Sequence, residues 1–147
     1  MPLLLLKVNR LSAVFWDVDG TLADTEMDGH RPAFNMAFKE LDLPFVWDEA
    51  LYNRLLAIPG GLRRVKLHAE TCGVHLSQNQ LDQVRDRKRV HYLERVRQGH
   101  VHLRPGVKRL LQELNSAGVQ QWIVTSSGSA SVMALLEQIQ TQLPDFD

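Results

Sequence analysis

The chain has a single cysteine, Cys72, among its 147 residues. One thiol cannot close an internal disulfide, and it excludes a cysteine-rich metal site. A reducing compartment of the cytoplasmic kind is the simplest expectation. Net charge is also missing: 17 basic residues balance 17 acidic ones. That excludes a protein built wholly around nucleic-acid or membrane electrostatics. Long apolar runs are absent too. The opening run, residues 3–6, is far shorter than the roughly 20 residues a transmembrane helix needs. It also lacks the basic start and small-residue cleavage site of a signal peptide, so it reads as an edge strand or a frayed end. No repeat of about 20–50 residues is visible. What is present is 44% hydrophobic residues. That is enough for one ordinary domain, or for a small core carrying an inserted module.

The balanced charge is unevenly placed. Residues 1–60 hold 5 Lys/Arg against 9 acids, residues 61–104 hold 10 against 4, and the remainder holds 2 against 4. A basic middle therefore sits between acidic ends. This suits a basic module facing an anionic substrate across an acidic site, although a solvated helix face gives the same pattern. Residues 85–89 (RDRKR) lack the interleaved aromatics that nucleic-acid binding would ask for.

Periodicity gives the order of elements. Residues 12–16 (SAVFW) form a short apolar run with the composition of a buried strand, and the polar stretch 17–25 reads as a loop. Helical spacing appears over 30–41, stopped by Pro44. A second short helix surrounds Leu51–Ile58 and ends at Pro59-Gly60-Gly61. A third covers 62–71, with Gly73 as its C-terminal cap. Ser77 is the expected N-cap of a long helix reaching Gln98. A helix from Pro105 to Gly118, a strand over 119–124 and a helix over 129–139 follow. One strand, an all-helical stretch, then helix, strand and helix predict an α/β core interrupted by a helical insertion. The core is expected over 1–25 and 105–147, the insertion over 26–104. Trp16 and Trp122 are expected in the core, and Cys72 as a small buried residue. His68, His75, His91, His100 and His102 are scattered without a metal-ligand spacing.

The chemistry concentrates at Asp17-Val18-Asp19-Gly20-Thr21-Leu22. Two carboxylates two residues apart at a strand end can face one site, one attacking an electrophile while the other handles protons. They are also hard oxygen ligands of the kind Mg²⁺ takes. Gly20 permits a tight turn whose N–H groups could hold phosphate oxygens. An EF-hand would place its glycine at loop position 6, whereas Gly20 would stand at position 4 after a strand. A purely structural Asp/Gly turn is the other alternative.

FWDVDGTLADTE resembles the first motif of the haloacid dehalogenase (HAD) superfamily. LRPGVKRLLQEL, residues 103–114, is similar to the segment by which such chains return from cap to core. GVQQWIVTSSG is similar to the second motif, with Thr125 at the position of its hydroxyl and Ser126 as the adjacent alternative. GHRPAFNMAF and LLAIPGGLRRV are similar to segments of the CbbY-like and phosphoglycolate phosphatase-like subgroup. In the latter segment Leu62 stands where the pattern has Lys, Arg63 where it has Glu, and Pro59 where it has Thr. Arg64 keeps the pattern, and Lys66 could compensate for the lost charge.

The resemblance implies a Rossmann-like HAD core, a helical cap and a phosphoryl-transfer reaction. Asp17 would attack phosphorus to form an aspartyl-phosphate, and Asp19 would protonate the leaving oxygen and then activate water. Mg²⁺ would be held by the Asp17 carboxylate and the Asp19 backbone carbonyl. Gly20, Thr21, Thr125 and Ser126 would bind the transferring phosphoryl group. His30, Arg31, Gly60, Gly61 and Arg64 would reach substrate from the cap. The family's third and fourth motifs, a lysine and acidic metal ligands, are not found in these residues, and Asp145 and Asp147 do not replace them. A truncated core, completed by a partner chain or a further C-terminal segment, is therefore expected. The activity implied is a Mg²⁺-dependent phosphatase of a small phosphosugar, such as xylulose 1,5-bisphosphate. A catalytically silent fragment that binds phosphosugar or a partner, and a sugar-phosphate mutase, are the alternatives. No nucleic acid and no membrane enter any of these readings.

Overall fold

A computed structural model describes residues 11–142. The apolar run 3–6, together with Asp145 and Asp147, lies outside the described residues. Strand β1 (Ala13–Trp16) leads through a tight loop into a π-helix (Thr25–His30) and helix α1 (Arg31–Glu40). Helices α2 (Glu49–Leu55), α3 (Gly61–Thr71) and α4 (Gln78–Arg97) follow. Helix α5 (Val107–Ser116), strand β2 (Gln120–Ile123) and helix α6 (Ser129–Gln142) complete the order. The fold is thus mixed α/β with a long helical insertion, as the periodicity predicts.

Most helix ends are set by the residues that announce them. Ser77 caps α4, and its hydroxyl accepts from the Gln80 N–H while the Gln80 side chain takes the Ser77 N–H, a reciprocal capping box. Asp48 caps α2 through the Leu51 N–H. Helix α1 stops earlier than Pro44 requires. Asp42 adopts φ 52°, and the Leu43 N–H turns back to the Phe38 carbonyl at 2.9 Å. An aspartate tolerates this left-handed conformation better than most residues.

The sheet has two parallel strands, with Ala13 opposite Gln120 and Trp16 opposite Ile123. Its ladder extends from the Gln120 N–H on Ser12 to the Val124 N–H on Trp16. Val14, Trp16, Gln121 and Ile123 are half-buried on one face, toward Leu111 of α5 and Leu136 and Ile139 of α6. Trp122 differs from expectation. It lies on the other face and is 54% exposed. Cys72 likewise proves exposed, at the C-terminal end of α3, rather than buried. That end is a solvated helix terminus, which gives the thiol nothing apolar to pack into.

Apolar side chains gather in two clusters. One unites Val18, Leu22, Ala33, Tyr92, Val96, Leu111, Leu135 and Ile139, joining the sheet region to α5, α6 and the C-terminal half of α4. The other lies wholly within the helical insertion and includes Phe34, Phe38, Phe45, Trp47, Tyr52, Val65 and Val84. Trp47 is fully buried there, and Asn35 ties its backbone in place by donating to its carbonyl and accepting from its N–H. The two chain crossings between these regions run side by side. The Asp24 N–H donates to the His102 carbonyl and the Arg104 N–H to the Leu22 carbonyl, each at 3.0 Å.

Candidate active site

β1 ends at Trp16, so Asp17 and Asp19 stand at its carboxyl end, where open α/β sheets place their sites. Asp17 is exposed, while Asp19 is half-buried. Gly20 follows with φ 73°, the left-handed turn for which a glycine is suited. The loop then closes on itself. The Gly20 N–H donates to the Ala23 carbonyl, and the Thr21, Leu22 and Ala23 N–H groups all point at the Val18 carbonyl. Val18 and Leu22 are buried beneath it, and Thr21 remains exposed on the outside.

The Asp19 carboxylate is held from three directions. The Thr25 hydroxyl donates to Oδ1 at 2.6 Å, the Ser127 hydroxyl donates to Oδ2, and His30 Nε2 lies 3.7 Å from Oδ1. Partial burial opposes its charge. The donors on His30, Ser127 and Thr25 outweigh that and hold the carboxyl well below the usual range. The π-helix makes this convergence possible. Residues five apart in an α-helix are rotated by about 140° around the axis. The wider turn that links the Arg31 N–H to the Glu26 carbonyl brings Thr25 and His30 to the same oxygen.

Behind His30 stands Lys88, which in the sequence is one residue of the basic run 85–89. Its ammonium donates to His30 Nδ1 at 3.0 Å. An ammonium has no acceptor, so Nδ1 carries the lone pair and Nε2 the proton that faces Asp19. Lys88 also lies over the Phe34 and Tyr92 rings, at 5.1 and 5.2 Å. Burial pushes its pKa down to about 8, against the pull of the Glu26 and Asp19 carboxylates. Tyr92 stacks on His30 with ring centroids 4.3 Å apart. Glu26 in turn accepts from the Tyr52 hydroxyl at 2.6 Å.

The remaining expected residues separate into two groups. Ser126 and Gly61 line a cleft of about 660 Å³, with Leu62, Arg85, Lys88 and Arg89 on one wall and residues 128–131 on the other. The second wall is the start of α6, whose free N–H groups favour anions. Thr125 is half-buried beside it and accepts from the Ser127 N–H. Arg64 is instead turned into the insertion. It is buried, donating to the Leu55 and Ile58 carbonyls and to the Tyr52 hydroxyl. Arg31 reaches the Trp47 carbonyl and Glu49. Gly60, with φ 85°, forms the turn into α3. The sequence pattern alone does not mark Ser127, Thr25, Glu26 or Lys88 as site residues. Only contacts across the fold distinguish them.

Among the described residues no three His, Cys, Asp or Glu side chains group as a metal site. The Asp17 carboxylate and the Asp19 carbonyl are two hard oxygen donors, a set that suits Mg²⁺ in kind and leaves positions for water and substrate oxygens. The Asp19 carboxylate itself is occupied by its three partners. No helix among the described residues is long and apolar enough to cross a membrane.

A family model for haloacid dehalogenase-like hydrolases matches residues 11–146. The chain belongs to this family. Within the haloacid dehalogenase-like hydrolases it is 42% identical over 133 residues to the plasmid-borne protein CbbY of Cupriavidus necator, covering 86% of this chain and 52% of that one. CbbY from Rhodobacter sphaeroides, solved in complex with phosphate, superposes with a TM-score of 0.71 at 30% identity, covering 87% of this chain and 56% of the other. A mutant of that same protein was solved with xylulose-(1,5)bisphosphate, and it superposes equally well. The chain thus spans about half the length of the relatives it matches.

Proposed function

We propose that this chain carries the phosphoryl-transfer site of a Mg²⁺-dependent phosphatase acting on a small phosphosugar. Residues 26–104 serve as a cap over a core formed by 1–25 and 105–147. The observation that carries the reading is the Asp19 carboxylate, held by Ser127, Thr25 and His30 close to the exposed Asp17, while Lys88, which contacts His30, lines a basic cleft with Arg85, Arg89 and Ser126. Xylulose 1,5-bisphosphate, bound by a similar CbbY, is the model for the substrate class.

The division of labour follows from the environments. Asp17 is exposed, suited to attack phosphorus and become an aspartyl-phosphate. Asp19, gripped by donors as a carboxylate, must release one of them and take a proton from solvent before it can protonate the leaving oxygen; the carboxylate so restored can then take a proton from the attacking water. The Nε2–H of His30 steadies the carboxylate, and Lys88 fixes that tautomer from behind. Gly20 and Thr21 turn their N–H groups inward, so the phosphate-binding role falls on Thr125, Ser126 and the start of α6 unless the loop opens. Gly61 lines the substrate side of the cleft, with His30 behind it, while Arg31, Gly60 and Arg64 shape the cap. The Asp17 carboxylate and Asp19 carbonyl would hold Mg²⁺. When bound, the ion supplies positive charge that lets two anions approach.

The test is phosphate release from a panel of phosphosugars, with Mg²⁺ present or chelated. Turnover is expected with Mg²⁺, reduced to background in Asp17→Asn and by about a hundredfold or more in Asp19→Asn. A folded wild-type chain that releases no phosphate refutes autonomous turnover. The small set of metal donors favours a second reading, in which the chain binds phosphosugar without turning it over. Calorimetric binding without phosphate release selects it.

A further inference from the structure

The run 85–89 puts four cations on α4, and the structure shows where each is spent. Arg85 is neutralised twice, by Asp82 at 2.8 Å and by Asp86 at 2.9 Å. Arg87 pairs with Glu40 at 2.7 Å. Lys88 donates to His30. Arg89 is exposed and makes no hydrogen bond or ion pair with any described residue. Its charge reaches Asp86, but that carboxylate is already bound by Arg85. A free guanidinium is ordinary on an open surface, but this one lines the cleft of about 660 Å³.

Residues 85, 88, 89 and 92 recur at three- and four-residue spacing, so one face of α4 forms that wall. Ser126 and residues 128–131 stand across from it, next to the Ser127 that donates to Asp19. Phe34, Gly61 and Leu62 add an uncharged stretch, and no Asp or Glu is among the described residues lining the cleft. Lys66, one turn beyond Leu62 on α3, does not line it either. Like charges one turn apart on a helix repel, as Arg85 and Arg89 would. Asp82 and Asp86 relieve this by cancelling Arg85, which leaves the charge of Arg89 to whatever enters. We infer that Arg89 binds a second phosphate of the substrate, one that is not transferred, and so selects sugars phosphorylated at both ends over monophosphates. Its planar fork offers paired N–H donors to phosphate oxygens. The inference rests on the phosphosugar reading of this cleft and does not require turnover.

The experiment is calorimetric titration, with Mg²⁺, of xylulose 1,5-bisphosphate and of its 1- and 5-monophosphates. Asp17→Asn serves as the background, so that no ligand is consumed. The bisphosphate is expected to bind about tenfold or more tightly than either monophosphate. Adding Arg89→Gln should reduce that preference to about threefold or less, and Arg89→Lys should keep more of it. Arg85→Gln should leave most of the preference, because its charge is already cancelled. Glutamine is a good helix former at an exposed position, and unchanged far-UV circular dichroism verifies the fold. The inference is overturned if the bisphosphate does not bind, if it binds no tighter than the monophosphates, or if Arg89→Gln leaves the preference intact. It is also overturned if Arg85→Gln lowers the preference as much as Arg89→Gln. Phosphate release plays no part in this measurement. A chain without turnover can therefore still show the preference, and a working phosphatase indifferent to Arg89 refutes this inference alone.

Discussion

At the scale of single residues, Lys88 is a charged group that the fold holds at a cost. Its pKa is pushed from 10.5 down to about 8 by burial, which means the fold works against its charge. The unfolded chain therefore holds the extra proton between about pH 8 and 10.5, and stability rises with pH across that window. Below pH 8 the whole penalty is present. Lys88→Met is expected to stabilise the chain by about 2 kcal/mol at pH 7, with the gain fading toward pH 10. Urea titrations at the two pH values measure it. The same variant removes the donor on His30 Nδ1 and frees the imidazole to change tautomer, so any activity should fall as stability rises. Asp19 behaves in the opposite sense. Its depressed pKa gives stability above the ordinary carboxylate range, and that stability is lost as acid protonates it.

At the scale of elements, the π-helix and its neighbour α4 are fitted around a missing side chain. A Cβ on Gly29 would stand 2.7 Å from Cε2 of Tyr92 and 3.2 Å from Val101. Gly29→Ala should cost about 1–3 kcal/mol by overpacking and should push Tyr92 off His30. Thermal unfolding reads the first effect, and the chemical shifts of His30 the second. These elements also show what a sequence discloses. Helix ends were legible because their signals are local: Ser77 with Gln80, and Gly73 and Gly118, both at positive φ. The acidic pair after β1 was legible because type and spacing carry its chemistry. Thr25, Ser127 and Lys88 were not. They reach Asp19 or His30 across 6, 108 and 58 residues of chain, and no periodicity encodes such a meeting. Arg64 misled for the complementary reason. Its neighbours in sequence say nothing of the Leu55 and Ile58 carbonyls it turns toward.

At the scale of the molecule, the two apolar clusters differ in how fully they are enclosed. The cluster inside the insertion surrounds Trp47, Tyr52 and Phe38 on all sides. Among the described residues the sheet has one bare face, and beneath its other face lies an apolar cavity of about 270 Å³ bounded by Trp16, Leu111 and Ile139. Openings that expose β1 and β2 should therefore need less free energy than those that expose α1. Amide hydrogen exchange should run at least tenfold faster at Phe15 and Trp122 than at Ala37 and Phe38. Equal protection would mean that the sheet is covered as well as the insertion. Trp122, expected in a core, is the residue that exposes the difference. Its composition and spacing describe a buried strand, and the layer that would bury it is not among the described residues.

Helix α4 crosses both clusters, with Leu81 and Val84 in one and Tyr92 and Val96 in the other. A helix seated in both clusters could act as a lever. If the Tyr92 end is the fulcrum, a tilt of about 10° carries the Gln78 end, roughly 21 Å away along the axis, through about 4 Å. Lys88 and Arg89, one turn from the fulcrum, would move by only about 1 Å. Lys88 would then keep its place on His30 while the Gln78 end swings with the insertion, so reach and precision would reside in one rigid rod.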